Sequence, residues 1–249
     1  MAGLRTLLEF GSGGDVPTNG TMTVTRILAS SPSAVNNGGR CCLWTVPDNV
    51  TWIGVEAWGG GGSGAGAPNC HAGRSGGPGA YGRKIFDVTP GDNWTICAGG
   101  TTCCLSSCCG CTGFGSYMCK ASTCCLCVSG GSGGCTLSYG NCQCGNSLNN
   151  CQTGCILGAT LCIRPVQGHG KWTYGGKCNF KQFAPGAPYA HTTGIWSTTG
   201  CANCHGLAFM GNCVPYPGHG GMSGNSSSGT YCGAPGGSGM VQLLYVASE

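Results

Sequence analysis

Two sulfur-rich repeats carry the strongest chemical signal in this chain. Cys108-Cys109-Gly110-Cys111 and Cys124-Cys125-Leu126-Cys127 each place three thiols within four residues. Cys103, Cys104, Cys119, Cys135, Cys142, Cys144, Cys151, Cys155 and Cys162 surround them, so 15 of the 24 cysteines fall between residues 101 and 162. Oxidised, such thiols cross-link. As thiolates they ligate zinc or an iron–sulfur cluster, provided four ligands converge. The spacings contain no clean pair of Cys-x-x-Cys knuckles. Adjacent cysteines seldom bridge each other because their side chains diverge. The favoured reading is therefore a disulfide network in which each member of a Cys-Cys pair ties to a different segment. Zinc or an iron–sulfur cluster is the alternative, and no cofactor is expected on the favoured reading.

Cys201-Ala202-Asn203-Cys204-His205 matches the Cys-x-x-Cys-His pattern of covalent haem attachment. That chemistry normally needs export, and Met1 to Leu8 does not read as a secretory signal. A chain so rich in cysteine also meets this pattern by chance. Cys201, Cys204 and His205 thus stand as weak metal candidates. The other histidines, His71, His169, His191 and His219, read as loop residues. No catalytic residue is expected. Between Asp92 and Glu249 the chain has no carboxylate, which removes acid partners for a triad and for paired-carboxylate catalysis. The distal aromatics Trp172, Tyr174, Tyr189 and Trp196 have two readings. They stack on the sugar faces of a host surface glycan, or they pack over glycine-rich backbone as a substitute core.

The elements that must position these groups are built largely from glycine. Gly 51 of 249 residues is about three times the ordinary share. No Gly-X-Y period is present, which excludes collagen. The run Gly59-Gly60-Gly61-Gly62-Ser63-Gly64-Ala65-Gly66 lacks the Lys-Ser/Thr of a phosphate loop. It can be ordered only if backbone packs against backbone, which the missing Cβ permits. Ile53, Val55 and Ala57 alternate just before it, Trp94, Ile96 and Ala98 alternate later, and Val241, Leu243 and Tyr245 alternate near the end. Alternation of this kind predicts half-buried strands. Thr89-Pro90-Gly91-Asp92 has type II turn chemistry. Thr21 to Leu28 alternates as an edge strand within a loop-rich arm. The net charge of +4 is thinly spread, with one mild basic cluster at Lys171, Lys177 and Lys181. Nucleic-acid binding needs denser charge, so no such partner is expected. No stretch is long enough to predict a membrane span.

Trp44-Thr45-Val46-Pro47-Asp48-Asn49-Val50, Val55-Glu56-Ala57-Trp58-Gly59-Gly60-Gly61-Gly62 and Gly76-Gly77-Pro78-Gly79-Ala80-Tyr81 follow one another. Val88-Thr89-Pro90-Gly91-Asp92, Thr95-Ile96-Cys97-Ala98-Gly99-Gly100 and Gly236-Gly237-Ser238-Gly239-Met240-Val241 continue the order, and Tyr245 closes it. In this order the segments resemble the glycine-rich domain of bacteriophage tail-fibre and other virion proteins. The resemblance spans roughly residues 43 to 100 and 233 to 246. It implies a small β-sandwich with long glycine-rich loops, sometimes stacked as polyglycine helices, in an exposed virion part. The chain departs from the family in its long cysteine-rich insertion and in Cys97, where a small apolar residue is usual.

The expectation is an all-β protein: a docking arm (1–40), a sandwich framework (41–100 and 233–249), and a cysteine- and glycine-rich insertion (101–232). The function expected is that of a non-enzymatic virion structural protein in a tail, baseplate or fibre, made in the host cytoplasm. It would be a homo-oligomer, joined to other virion proteins through residues 1–40. An adhesin reading a bacterial surface glycan is the first alternative, and a cysteine-ligated metalloprotein the second.

Overall fold

A computed structural model describes residues 20–28, 39–65, 67–68, 72–73, 76–100, 110–134, 136–137, 156–163, 171–173, 177–183, 193–199, 218, 230–231 and 235–248. Every regular element among them is a β-strand. In chain order these are β1 (Gly20–Leu28), β2 (Arg40–Thr45), β3 (Trp52–Trp58), β4 (Ala67–Pro68), β5 (Ala72–Gly73), β6 (Tyr81–Asp87), β7 (Asn93–Ala98), β8 (Ser116–Lys120) and β9 (Thr123–Val128). They continue with β10 (Thr136–Leu137), β11 (Ile156–Leu157), β12 (Leu161–Ile163), β13 (Lys171–Thr173), β14 (Lys177–Phe183), β15 (Thr193–Thr199), β16 (Thr230–Tyr231) and β17 (Met240–Ser248).

Two five-stranded antiparallel sheets share one core. The first has the order β1-β17-β3-β6-β12 and the second β11-β9-β8-β7-β2. The alternating triplets supply the core: Ile53, Val55 and Ala57 from β3, Trp94, Ile96 and Ala98 from β7, and Val241, Leu243 and Tyr245 from β17. Met118, Leu126 and Val128 complete it from β8 and β9. The expected all-β fold is thus observed. The other pairings form small ladders: β5 with β10, β4 with β16, and the three-stranded β13-β14-β15.

Two details refine the expected organisation. β1 lies at the edge of the first sheet and pairs along its whole length with the chain's own β17, from Gly20↔Ser248 to Leu28↔Met240. β8, β9, β11 and β12 come from within residues 101–232, yet they belong to the two main sheets. The framework therefore draws on that stretch, because Met118, Leu126 and Val128 offer the apolar inward face that the second sheet needs. The turn at Thr89–Asp92 has Gly91 at φ 82° and the Asp92 amide bonded to the Thr89 carbonyl at 3.0 Å. Both are the marks of a type II turn.

The described glycine tracts next to the main strands leave or enter the sandwich at one end. β3, β7 and β9 run out into 59–65, 99–100 and 129–134, while 76–80, 110–115 and 235–239 lead back into β6, β8 and β17. The opposite end carries turns, including the tight Ala121-Ser122 connection between β8 and β9.

Candidate functional site

Hydrogen bonding in the glycine tracts has a period of three. The amides of Gly59 and Gly62 donate to the carbonyls of Ala80 and Gly77, those of Gly60 and Ser63 to Phe114 and Cys111, and that of Gly61 to Gly237. The 76–80 and 110–115 segments are thus each met every third residue. In the other direction, the Gly60 and Ser63 carbonyls accept from the amides of Gly131 and Gly134. Three residues per turn is the repeat of an extended, polyproline-type helix, which has no internal hydrogen bonds and turns its polar groups sideways. Here those groups find partners in adjacent segments, so buried backbone is satisfied without a sheet.

Glycine is required by the spacing. A Cβ on Gly59 would land on the carbonyl oxygen of Ser129, and one on Gly130 would land on that of Gly113. Two fully buried serines add side-chain hydrogen bonds to this network. Ser63 Oγ accepts from the Cys111 amide at 2.7 Å. At the root of the bundle, Ser116 Oγ donates to the Trp58 carbonyl at 2.5 Å and accepts from the Gly99 amide at 2.8 Å.

A second feature is the outer face of the second sheet. Register aligns Cys41, Cys97, Tyr117, Cys127 and Leu157 in one row across the strands. Leu43, Thr95, Cys119 and Cys124 form the next row. Leu43 and Leu157 are 69% and 54% exposed. Cys41 and Cys97 form a cross-strand disulfide, with Cα atoms 4.0 Å apart. Cys41 Sγ also lies 3.8 Å from Tyr117 Oη. This bridge is missing from the expected network. Its signal lay in the pairing of two strands separated by 56 residues, which cysteine spacing alone does not reveal.

Of the cysteines expected to cross-link, Cys119, Cys124, Cys125 and Cys162 are unbridged thiols in the structure. Cys162 is exposed on edge strand β12, opposite Gly82 rather than another cysteine. Cys125 packs against the core. Cys119 and Cys124 are register partners beside a β-bulge. Burial pushes the Cys119 thiol up to about 12, reinforced by its hydrogen bond to Cys124 and by the nearby Cys124, Cys125 and Cys127 thiols. Cys124 in turn donates to the Leu126 carbonyl at 3.6 Å. The Cys111 backbone ties into the glycine bundle at Ser63, and Cys127 lies opposite Tyr117. Cys103, Cys104, Cys108, Cys109, Cys135, Cys142, Cys144, Cys151 and Cys155 lie outside the described residues.

A comparison with protein-family models and with curated proteins finds no match. Trp172 sits in β13 opposite Cys178, and Trp196 sits in β15 opposite Phe180. Tyr174, Tyr189, Cys201, Cys204 and His205 lie outside the described residues. Among the described residues, no group of three or more His, Cys, Asp and Glu is placed to hold a metal ion. No helix among them is long and apolar enough to cross a membrane.

The first sheet carries a polar ladder on its outer face. Arg26 Nε donates to Gln242 Oε1 at 3.0 Å, and Gln242 Nε2 donates to Glu56 Oε2 at 3.4 Å. Tyr81 Oη donates to Glu56 Oε1 at 2.9 Å. Both carboxylate oxygens of Glu56 are thereby engaged. At the turn end, Lys120 Nζ meets Asp92 Oδ2 at 2.6 Å and holds that carboxyl below the usual range.

Proposed function

We propose that this chain is a non-enzymatic structural part of a bacteriophage particle, exposed in its tail, baseplate or fibre. The observation that carries the reading is the glycine bundle at one end of a small β-sandwich. Backbone packed on backbone, with neighbouring carbonyls where side chains would stand, makes a stiff projection with little room for a substrate. Such a projection suits a load-bearing or surface-touching part. The sequence resemblance to glycine-rich virion domains points the same way. The test is immunogold electron microscopy on purified particles, with an antibody raised against the chain. Label confined to the tail or its tip is expected. Particles that carry none of the chain, while infected-cell lysate contains it, would overturn the reading.

A second reading, glycan recognition, draws on β13-β14-β15. Register sets positions 172, 178, 180 and 196 in opposed pairs, and alternate residues of a sheet share a face. Two tryptophan positions thus belong to one surface of a small sheet. A glycan array probed with the full chain and with Trp172→Ala and Trp196→Ala separates this reading from a purely structural one. Binding lost in both variants supports recognition, and no binding by the full chain removes it.

A further inference from the structure

We infer that Cys119 and Cys124 are a second cross-strand disulfide site, which closes by exchange with a small-molecule disulfide. The inference stands apart from the proposed function. It rests on three observations. First, the two residues are direct register partners in the β8–β9 hairpin. Second, their side chains are already in hydrogen-bonding contact, and both are unbridged thiols. Third, the neighbouring row of the same face holds the formed Cys41–Cys97 bridge, so this face already positions one cross-strand pair for bonding.

The chemistry follows from which thiol can lose its proton. Thiolate is the attacking species in exchange. Cys119 is held protonated by burial and by its hydrogen bond to Cys124, so Cys124 is the attacking residue. Its thiolate attacks one sulfur of glutathione disulfide, forms a mixed disulfide and releases one glutathione thiolate. Cys119 then gives up its proton and attacks the Cys124 sulfur, expelling the second glutathione. Two protein thiols are oxidised to one disulfide, and one glutathione disulfide is reduced to two glutathiones. The product staples the hairpin one pair from its turn, at the end of the sandwich away from the glycine bundle.

The test uses the full chain incubated with glutathione disulfide, then blocked with an alkylating agent and digested without reductant. Trypsin cuts after Lys120, and chymotrypsin cuts after Tyr117 and Leu126. Together they leave Cys119 in the fragment 118–120, and Cys124 with Cys125 in the fragment 121–126. The expected result is these two fragments joined by a disulfide, with the alkylatable share of Cys119 falling by more than half. The link is expected to vanish in Cys124→Ser and persist in Cys125→Ser. Cys119→Ser should leave glutathione attached at Cys124. Three results would overturn the inference: Cys119 fully alkylated after oxidation, Cys119 joined to another segment, or a link that survives Cys124→Ser. If a variant fails to fold, fragmentation of the wild-type linked peptide assigns the bond to Cys124 or to Cys125 and decides the question.

Discussion

In the sandwich, water is excluded by side chains: Ile53, Val55, Ile96, Met118, Leu126 and Leu243 are all fully buried between two sheets. In the bundle it is excluded by the absence of side chains, and residues 59–65 are just as buried. Stabilisation in the sandwich scales with apolar area removed from water, about 25 cal/mol per Å². Stabilisation in the bundle comes from paired backbone groups and dispersion between closely spaced chains. The entropic cost also differs, since glycine loses more backbone freedom on folding than any other residue. A bundle of this kind is thus poorly suited to stand alone. It is anchored by six described tracts that continue directly from the strands of a conventional core.

The largest test of this contrast is one methyl group placed in each region. Gly59→Ala drives a Cβ into the Ser129 carbonyl, and only backbone movement could relieve it. The expected cost is about 3 kcal/mol or more, at the top of the range for overpacking. Gly54 is equally buried but lies within β3, and its added Cβ would meet Leu244 side-chain and backbone atoms at 3.7 Å, ordinary contact. Gly54→Ala is expected to be neutral or stabilising by about 0.5 kcal/mol, because alanine loses less entropy in a strand. Denaturant unfolding of the two variants decides it. Equal effects would mean that the bundle yields as readily as a sheet surface.

Next in size is the junction. Ser116 sits where β8 enters from the bundle, and its hydroxyl joins the ends of β3 and β7 through Trp58 and Gly99. Ser116→Ala leaves the buried Gly99 amide without its acceptor, at a cost of about 2 kcal/mol. Hydrogen exchange should show faster amides in 59–63 and 99–100, with the sandwich interior little changed. Uniform acceleration across both regions would show that they unfold as one unit.

The sandwich was legible in the sequence because its signal is local. Three alternating triplets and one Pro-Gly turn fixed β3, β7, β17 and the β6–β7 connection. β8 and β9 were hidden for a physical reason. Cysteine is apolar enough to be buried and reactive enough to be exposed, so Thr-Cys-Cys-Leu-Cys-Val shows no clear alternation. The bulge beside Cys119 then breaks what period there is. Their turn, Ala121-Ser122, also lacks the Asn-Gly or Asp-Gly signature of a two-residue hairpin. Glycine content foretold close backbone packing, but which tract bonds to which depends on strand order. The Cys41–Cys97 bridge depends on strand order in the same way.

An independent effect separates the turn end from the bundle end by pH. With Cys119 pushed up to about 12 against an ordinary 9.0, the folded state keeps a proton that the unfolded chain loses. The stabilisation is therefore complete below pH 9 and disappears as pH climbs from 9 towards 12. In the reduced-pair form under anaerobic conditions, Cys119→Ser should flatten this alkaline loss. Exchange protection at Gly60 and Gly62 should fall no faster than that of the core. Identical pH profiles for variant and wild type would remove Cys119 as the cause.

The smallest effect tests whether the turn end is strained where the bundle end is not. Ala121 adopts φ 51°, a left-handed conformation that costs a non-glycine residue about 1 kcal/mol. Ala121→Gly removes that cost and adds some entropy to the unfolded chain, so the net gain is about 0.5 kcal/mol. Adding glycine should therefore stabilise this end, whereas removing glycine at Gly59 should destabilise the other. Both effects have one origin: glycine is favourable only where the backbone takes a path that a Cβ would obstruct. A destabilised Ala121→Gly, measured beside Gly59→Ala in the same denaturant series, would show that the turn is held by contacts of the Ala121 methyl group rather than tolerated in spite of it.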